Sequence, residues 1–320
     1  MLRGVEMSIN DPAFRHEIFL YGDDEEFLAG AVSLVRDGLE VGEPSLVAVT
    51  RGKTELLRGE LGDDAVQVEF LEIEAVGCNP ARIIPAWRDF LDRTAVAGTP
   101  ARGIGEPVWP GRDEAELDEC HRHESLLNLA FAGEREWTLL CPYDSNALDD
   151  DVLESARECH PHVLAGGVRA SGSTWSGSAS GYSPFRGSLP VAPGDSVALA
   201  FGREDLAAVR ELIGGEAALV PLRGDRRLDV VVAVNELATN SVLHGGGNGT
   251  LRVWREGGAL VAEIHDRGRI EEPLAGRLAP TLAQECGRGL WMVNQLCDLV
   301  QIRSGPEGTA VRLRMNPDWT

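Results

Sequence analysis

Two kinds of periodicity alternate along residues 15–165. Short apolar runs typical of β-strands are separated by stretches in which apolar residues recur at the 3.6-residue spacing of an amphipathic helix. The predicted strands are RHEIFLY (15–21), SLVAVT (45–50), AVQVEFLEI (65–73), ARGIGE (101–106) and WTLLCPY (137–143). The predicted helices span residues 23–40, 80–97, 113–131 and 149–158. Such alternation predicts a parallel, doubly wound α/β sheet.

The periodicity disappears from Gly166 to Gly194, where Gly, Ser and Pro replace the apolar positions. We expect neither helix nor strand in such a stretch. The chain is therefore predicted to divide into a first domain at 1–165, a linker at 166–195 and a second domain at 196–320.

Periodic structure returns after the linker in a different order. The predicted strands are SVALAF (196–201), TLRVWRE (250–256), ALVAEIHD (259–266), LVQIRS (299–304) and TAVRLRM (309–315). The predicted helices span residues 203–213, 225–244 and 289–297. The second and third strands form a hairpin across Gly257-Gly258. With two helices packed on one face of a mixed sheet, this order predicts an α+β two-layer sandwich.

Composition narrows the classes of partner. The chain has 30 basic and 51 acidic residues, a formal net charge of −21. An acidic surface repels nucleic-acid backbones and anionic membranes, so we expect neither as a direct partner. No run approaches the roughly 18 apolar residues of a membrane-spanning helix, and the first residues lack the apolar core of a secretion signal, which predicts a cytoplasmic protein. Six cysteines in that setting are expected to be reduced thiols.

Polar side chains with candidate chemistry concentrate in the second domain. Glu236, Asn240 and His244 are spaced four apart on one predicted helix, so they project from one face. Asp266-Arg267-Gly268 ends a predicted strand, and Gly287-Arg288-Gly289-Leu290 opens a predicted helix, where glycines and free N–H groups suit a polyphosphate. A solvated polar face is the alternative for the first helix alone. The polar helix face, the strand end and the glycine-rich helix start, in this order, are a much more specific pattern than any one of them alone.

The segments NELATNSVLHGG, DRG and GRGL resemble the boxes of the GHKL, or Bergerat, ATP-binding fold of gyrase, Hsp90, histidine kinases and MutL. More narrowly, residues 196–315 resemble RsbW-like serine-protein-kinase anti-sigma factors. This resemblance implies that Asn240 binds Mg²⁺ carried by ATP and that Glu236 orients or deprotonates the attacking hydroxyl. It also implies that Asp266 accepts a hydrogen bond from the adenine amino group and that Gly268 lets the backbone approach the base.

The same resemblance assigns the remaining nucleotide contacts. Gly287 and Gly289 would lie along the phosphates, Arg288 would neutralise them, and Thr309 would close the adenine pocket. One departure concerns the second box, which usually reads Asp-x-Gly-x-Gly. Here residues 266–270 read Asp-Arg-Gly-Arg-Ile, so the second glycine is missing. Nucleotide binding is accordingly a firmer expectation than kinase activity.

Three motifs suggest other chemistry and lack its context. AEIHDRG (262–268) is similar to a histidine phospho-acceptor box but ends a predicted strand, and HESLLN (123–128) lacks a second coiled-coil helix. Gly52-Lys53-Thr54 is like the end of a phosphate loop, but Val47 stands where that loop needs its first glycine. Two functions are alternatives to that of an anti-sigma factor. The chain would be either a soluble sensor histidine kinase or an ATP-binding sensor without kinase activity.

The first domain resembles the MEDS sensory domain, a RecA-like relative without the phosphate loop. The resemblance lies in HEIFLYGDDEEFL, NPARIIPAWRDFL, RGIGEPVW, ECHRHESLLN and LLCPYD. A candidate sensor site near strand ends, the usual ligand side of such a sheet, comprises Glu106, Cys120, His123, Glu124 and Cys141. We favour structural roles, with the two cysteines as small buried apolar residues and His123 as a hydrogen-bonded core or surface group. The alternative is Zn²⁺ held by Cys120, His123 and Cys141 with Cys159 or His160. A small organic ligand suits either interpretation.

Together the resemblances predict a signal-responsive regulator of the actinobacterial RsbA type, acting in a stress response. The second domain would bind an RNA polymerase sigma factor. An STAS-domain anti-anti-sigma factor would oppose this binding. The second domain would phosphorylate a serine of that STAS-domain protein. We also expect the chain to form a homodimer.

Overall fold

In the computed structural model, residues 14–95, 98–133, 135–172, 185–280 and 287–317 are described. The chain divides between residues 182 and 183 into two compact units, and each is described by itself below. No helix among the described residues is long and apolar enough to cross a membrane.

The first unit is built on a seven-stranded sheet in the order β3-β2-β4-β5-β1-β6-β7. Its strands are β1 (Phe14–Tyr21), β2 (Ser45–Val49), β3 (Glu69–Glu72), β4 (Ala101–Gly105), β5 (Trp137–Asp144), β6 (His162–Ala165) and β7 (Val168–Ser171). Its helices are α1 (Asp24–Val41), α2 (Arg51–Leu61), α3 (Ile73–Gly77), α4 (Ile83–Arg93), α5 (Glu114–Ala130) and α6 (Asp150–Cys159). Every described pairing is parallel except β6 with β7, so the predicted doubly wound α/β class is confirmed.

Local chemistry fixes where the helices begin and end. Asp23 caps α1 by accepting a hydrogen bond from the Glu26 backbone N–H at 2.9 Å. Gly42 ends α1 in the left-handed conformation, with φ of 76°. Asp113 and Glu116 form a reciprocal capping box at the start of α5. These signals explain why the predicted bounds of both helices lie close to the observed ones.

The expectation of no strand after residue 165 is wrong for β7. Gly166 and Gly167, with φ of 54° and 74°, form a two-residue turn that folds β7 back along β6. Arg169 of β7 donates to the buried carboxylate of Glu17 at 3.1 Å, which holds the added strand on the sheet. Residues 173–184 of the predicted linker lie outside the described residues.

The strand β4 is packed too closely to accept a side chain at Gly103. A Cβ atom there would lie 2.9 Å from the Trp87 ring and 3.0 Å from Leu139. We expect Gly103→Ala to lower the free energy of unfolding by about 1–3 kcal/mol, measured by denaturant unfolding. Gly59→Ala is the control, because Gly59 lies in α2 with no atom near its Cβ position, and there alanine should stabilise by about 0.5–1 kcal/mol. Equal effects would contradict the packing argument.

The second unit is a five-stranded sheet in the order β11-β12-β10-β9-β8. Its strands are β8 (Val197–Gly202), β9 (Asn248–Glu256), β10 (Ala259–Asp266), β11 (Leu299–Gly305) and β12 (Gly308–Met315). Its helices are α7 (Leu206–Ala217), α8 (Arg226–His244) and α9 (Arg288–Leu296). The two-layer α+β class is confirmed. The expectation of a mixed sheet is wrong, because every described pairing is antiparallel. Short turns join β9 to β10 and β11 to β12, whereas helices lie between the other consecutive strands.

One apolar core holds the helices of this unit on its sheet. It contains Val230, Val234 and Leu237 of α8 together with Leu251 of β9 and Leu313 of β12, all of them buried. These residues form the apolar face of α8, which packs against the sheet. The polar residues of α8 lie on its other faces and are not part of the core.

Candidate functional site

The start of α9 lies against the polar face of α8. A Cβ atom on Gly289 would lie 3.0 Å from Asn240 Nδ2 and 3.2 Å from Glu236 Oε2. Both polar side chains are partly exposed. The fold therefore brings together residues that are separated by about fifty positions in sequence, and the lack of a side chain at Gly289 leaves room in front of them.

Gly287 gives this helix start an open approach. It adopts a left-handed conformation with φ of 94°, and no atom lies within 4 Å of its Cβ position. Arg288, the first residue of α9, is exposed. The first N–H groups of a helix have no partner within it and carry partial positive charge. This end of α9 therefore offers donors and positive charge to an anion beside Asn240.

Asp266, at the end of β10, is held by two donors. The Ser241 hydroxyl donates to Oδ2 at 2.5 Å, and the Gly268 backbone N–H donates to Oδ1 at 2.7 Å. Gly245 approaches so closely that a Cβ atom there would lie 2.4 Å from Asp266 Cγ. The carboxylate is thus fixed in direction, and since it has about four acceptor positions, it retains capacity for a further donor.

Thr309 lies beneath the loop that follows Asp266. Its buried hydroxyl donates to the Gly268 carbonyl at 2.9 Å and lies 2.7 Å from Ser304 Oγ. Ser304 Oγ in turn accepts from the Ile270 backbone N–H at 2.8 Å. The side chain of Ile270 packs against the apolar core. The residue that replaces the second motif glycine therefore anchors the loop.

Two histidines close to this site are His265, from the motif similar to a phospho-acceptor box, and His244, predicted to share a face with Glu236 and Asn240. His265 is an exposed residue of β10, paired with Thr250 on β9 and Ala310 on β12. It is therefore part of a sheet, whereas a phospho-acceptor histidine of that type needs a long dimerising helix. His244 is exposed at the end of α8.

A second cluster of polar groups is buried in the first unit. His16, Glu124, Cys141 and His160 each offer one donor atom, and these atoms lie within 4.8 Å of one another. Glu124 and Cys141 belong to the predicted sensor site and His160 to its zinc alternative, whereas His16 was missed. Its signal in the sequence is a polar run, Arg15-His16-Glu17, in a strand whose other residues are apolar or aromatic.

The ionisation of this cluster is set largely by burial. Burial, with the charge of His160, lowers the pKa of His16 to about 4. Burial also raises the pKa of the Cys141 thiol, and the charge of Glu124 raises it further. Burial opposes ionisation of Glu124, but the two imidazoles outweigh it and hold the pKa of this carboxyl well below its usual value.

The other predicted sensor residues lie outside this cluster. Glu106 is buried beside Lys53, which also contacts the Tyr21 hydroxyl. Burial raises the pKa of Glu106, although the charge of Lys53 acts in the opposite direction. Cys120 donates to the Pro107 carbonyl at 3.1 Å. His123 is buried in α5. The zinc alternative built on Cys120 and His123 is therefore wrong, since these two do not converge with Cys141.

Cys159, the other residue offered for that alternative, lies 3.3 Å from His121 Nδ1 and 3.1 Å from Ser125 Oγ. It therefore contacts side chains of α5 that are not members of the four-residue cluster. Cys120, Cys141 and Cys159 are free thiols, and Cys286 lies outside the described residues.

The second unit has the architecture of the GHKL class, an antiparallel sheet layered with helices and a glycine-led helix facing an acid–amide pair. Comparison with known families agrees. Residues 200–315 match the family described as histidine kinase-like ATPase domain, and residues 15–161 match MEDS, the methanogen/methylotroph, DcmR sensory domain. The chain carries a MEDS domain followed by a histidine kinase-like ATPase domain.

No curated protein matches the chain. Among solved structures, the chain is similar to the RsbU and RsbW domains of Rv1364c from Mycobacterium tuberculosis, with 21% identity over 39% of this chain and a TM-score of 0.30. The match spans 33% of that chain, about one third of its length.

Proposed function

We propose that the second domain binds Mg-ATP between α8 and the start of α9. The observation that carries this proposal is the contact of Gly289 with Asn240 and Glu236, since it places a glycine-led helix start opposite an amide and a carboxylate. Asn240 supplies an amide oxygen, a hard ligand suited to Mg²⁺. Bound Mg²⁺ would neutralise charge on the phosphates.

The remaining residues have roles consistent with their contacts. Asp266, fixed by Ser241 and Gly268, accepts a hydrogen bond from the adenine amino group. Thr309 supports the Gly268 backbone that lies against the base. Gly287, Arg288 and Gly289 line the phosphates. Ile270, which stands in place of the second motif glycine, packs its side chain against the apolar core.

In the cell, we propose, the chain is a cytoplasmic anti-sigma regulator. Its ATPase-like domain binds a sigma factor, an STAS-domain partner counters it, and a signal received by the MEDS domain sets the balance. The motifs shared with RsbW-like factors support this role, as does the match of residues 200–315 to a histidine kinase-like ATPase domain. The domain would act by protein contact, with ATP and Mg²⁺ as cofactors.

The test combines binding with phosphorylation. Calorimetric titration of the full chain should show Mg-dependent ATP binding. The chain should then transfer labelled phosphate to a serine of an STAS protein encoded in the same genome, and phosphoserine is stable to acid. Acid-labile phosphate on the chain itself would instead support the sensor histidine kinase. Absence of nucleotide binding would overturn the proposal.

Glu236→Gln separates chemistry from binding. The amide keeps the shape of the side chain but cannot accept a proton, so we expect the rate of phosphoryl transfer to fall by about 100-fold or more while ATP affinity changes little. Glu211→Gln on the exposed surface of α7 is the control and should leave both quantities unchanged. A parallel loss of rate and affinity would argue that Glu236 serves only to shape the pocket.

A further inference from the structure

The buried cluster of the MEDS domain draws its four members from different parts of the fold. His16 lies on β1, Cys141 on the neighbouring strand β5, Glu124 on α5, and His160 directly after α6. Each is at most 1% exposed. Polar groups buried to this extent are costly unless they are paired or bound to a metal, so their convergence needs an explanation.

The separations of the donor atoms suit a single metal ion. His16 Nε2 lies 2.9 Å from Glu124 Oε2, and His160 Nε2 lies 3.3 Å from the same oxygen. Cys141 Sγ lies 3.3 Å from His16 Nε2 and 3.7 Å from Glu124 Oε2. Ligands around tetrahedral zinc, at its usual bond lengths, are separated by about 3.3–3.7 Å. The cluster is therefore close to the size of a tetrahedral site.

Hydrogen bonds outside the cluster aim the ring of His160 inward. Its Nδ1 lies 2.7 Å from the Ala156 carbonyl, which can only accept, so Nδ1 carries the proton. In the neutral form of the ring, Nε2 then presents a lone pair. That atom is buried and lies 3.3 Å from Glu124 Oε2. A cation between this lone pair and the carboxylate oxygen would be bound by both atoms.

The ring of His16 is oriented in the same way. Its Nδ1 lies 3.2 Å from Asn128 Oδ1. The amide of Asn128 is itself fixed, since its Nδ2 donates to the Cys159 carbonyl at 2.8 Å, so the oxygen faces His16. Nδ1 of His16 therefore donates, and Nε2 points to the cluster. Support of this kind, in which the outer ring nitrogen of a ligand histidine donates to a fixed oxygen, accompanies most protein metal sites.

The carboxylate has matching support. The Tyr143 hydroxyl donates to Glu124 Oε1 at 3.3 Å, which leaves Oε2 as the oxygen shared by His16, His160 and Cys141. One carboxylate and one thiolate also balance the charge of a divalent cation, so the loaded site would bury no net charge.

We propose that the MEDS domain binds one Zn²⁺ ion through His16 Nε2, His160 Nε2, Glu124 Oε2 and Cys141 Sγ. Two imidazoles, a thiolate and a carboxylate form a donor set typical of zinc, whereas Mg²⁺ and Ca²⁺ prefer oxygen ligands alone. On binding, Zn²⁺ displaces the proton of the Cys141 thiol to solvent and forms a bond to sulfur.

A cavity lies beside this site. It has a volume of about 590 Å³, and Glu124, Tyr143 and Ala156 contribute to its lining. Glu124 thus belongs to both the cluster and the cavity wall, and Ala156 provides the carbonyl that orients His160. A small molecule held in the cavity would lie beside the carboxylate of the proposed metal site.

Elemental analysis of the full chain tests the proposal. Protein expressed in zinc-supplemented medium and purified without a histidine tag should contain about one zinc ion per chain. Zinc-edge X-ray absorption should show one sulfur and three nitrogen or oxygen ligands, a readout that needs no substitution. A content below about half an ion per chain, or a first shell without sulfur, would overturn the proposal.

Two cysteine variants then assign the sulfur ligand. After replacement of zinc by Co²⁺, the wild-type chain should show a thiolate-to-cobalt charge-transfer band in the near ultraviolet. Cys141→Ser should remove the band. Cys120→Ser is the matched control, since Cys120 is equally buried and a serine hydroxyl can still donate to the Pro107 carbonyl. Loss of the band in the control with retention in Cys141→Ser would overturn the assignment.

Discussion

Asn240→Ala is expected to weaken Mg-dependent ATP binding by about 100-fold, equivalent to about 2.7 kcal/mol. The substitution removes the only amide that faces Gly289 in the described part of the site, and with it the proposed Mg²⁺ ligand. Alanine is a good helix former, so α8 should keep its stability. Calorimetric titration of the full chain with Mg-ATP, together with a thermal unfolding curve, measures both quantities.

Asn235→Ala provides the matched control on the same helix. Asn235 accepts a hydrogen bond from Arg210 of α7 at 2.9 Å, away from the proposed pocket. We expect its removal to cost at most about 1 kcal/mol of stability and to leave ATP affinity unchanged. If Asn240→Ala binds Mg-ATP as tightly as this control, Asn240 is not a ligand and the nucleotide lies elsewhere.

The second large effect is expected for Gly308→Ala in the turn between β11 and β12. Gly308 has φ of 121°, and a Cβ atom there would lie 2.1 Å from the Asp266 carbonyl oxygen. Alanine must therefore separate β12 from the end of β10, where Asp266 pairs with Thr309. We expect the free energy of unfolding of this unit to fall by about 3 kcal/mol or more, as measured by denaturant titration.

We expect Gly308→Ala to abolish nucleotide binding as well. The displaced strand carries Thr309, and the displaced backbone carries Asp266. Gly305→Ala is the control within the same turn. Gly305 pairs with Gly308, its φ lies outside the left-handed region, and nothing lies within 4 Å of its Cβ position. A change within about 0.5 kcal/mol is expected for the control. Similar losses in both variants would point to general strain of the turn.

The sequence predicts elements where periodicity or capping is strong, and it fails where tertiary contacts supply the order. Helix α1 has both an N-cap and a C-terminal glycine, and its bounds were predicted to within one residue. Helix α2 was missed, although Thr54, Leu57 and Leu61 lie at helical spacing, because exposed charges and two glycines obscure the pattern. All four residues of β7 are exposed, and its alternation, Val-Arg-Ala-Ser, extends over only four residues, which is too short to distinguish a strand from the surrounding linker.

The two candidate sites also differ in how far the sequence alone predicts them. Glu236 and Asn240 are one helical turn apart, so sequence spacing alone places them on one face, and their motif indicates the partner helix. The zinc cluster has no such local signature. Spacing within α5 favoured Cys120 with His123, whereas the fold selects Glu124 and joins it to His16, 108 positions away in sequence. The pairing of β1 with β5 sets His16 beside the strand that carries Cys141, and α5 adds Glu124.

The central place of β1 also governs the order in which the first domain can form during synthesis. This strand lies between β5 and β6, with Phe14 paired to Trp137 and Glu17 to His162. Among the described strands of this domain, β1 is made first, and it therefore has no neighbour until nearly the whole domain has been made. Contacts so distant in sequence slow folding and prolong exposure of apolar segments such as IFLY. The sheet of this domain can be completed only after β5 and β6 have been made. The antiparallel sheet of the second domain can instead begin to fold from the local β9–β10 hairpin.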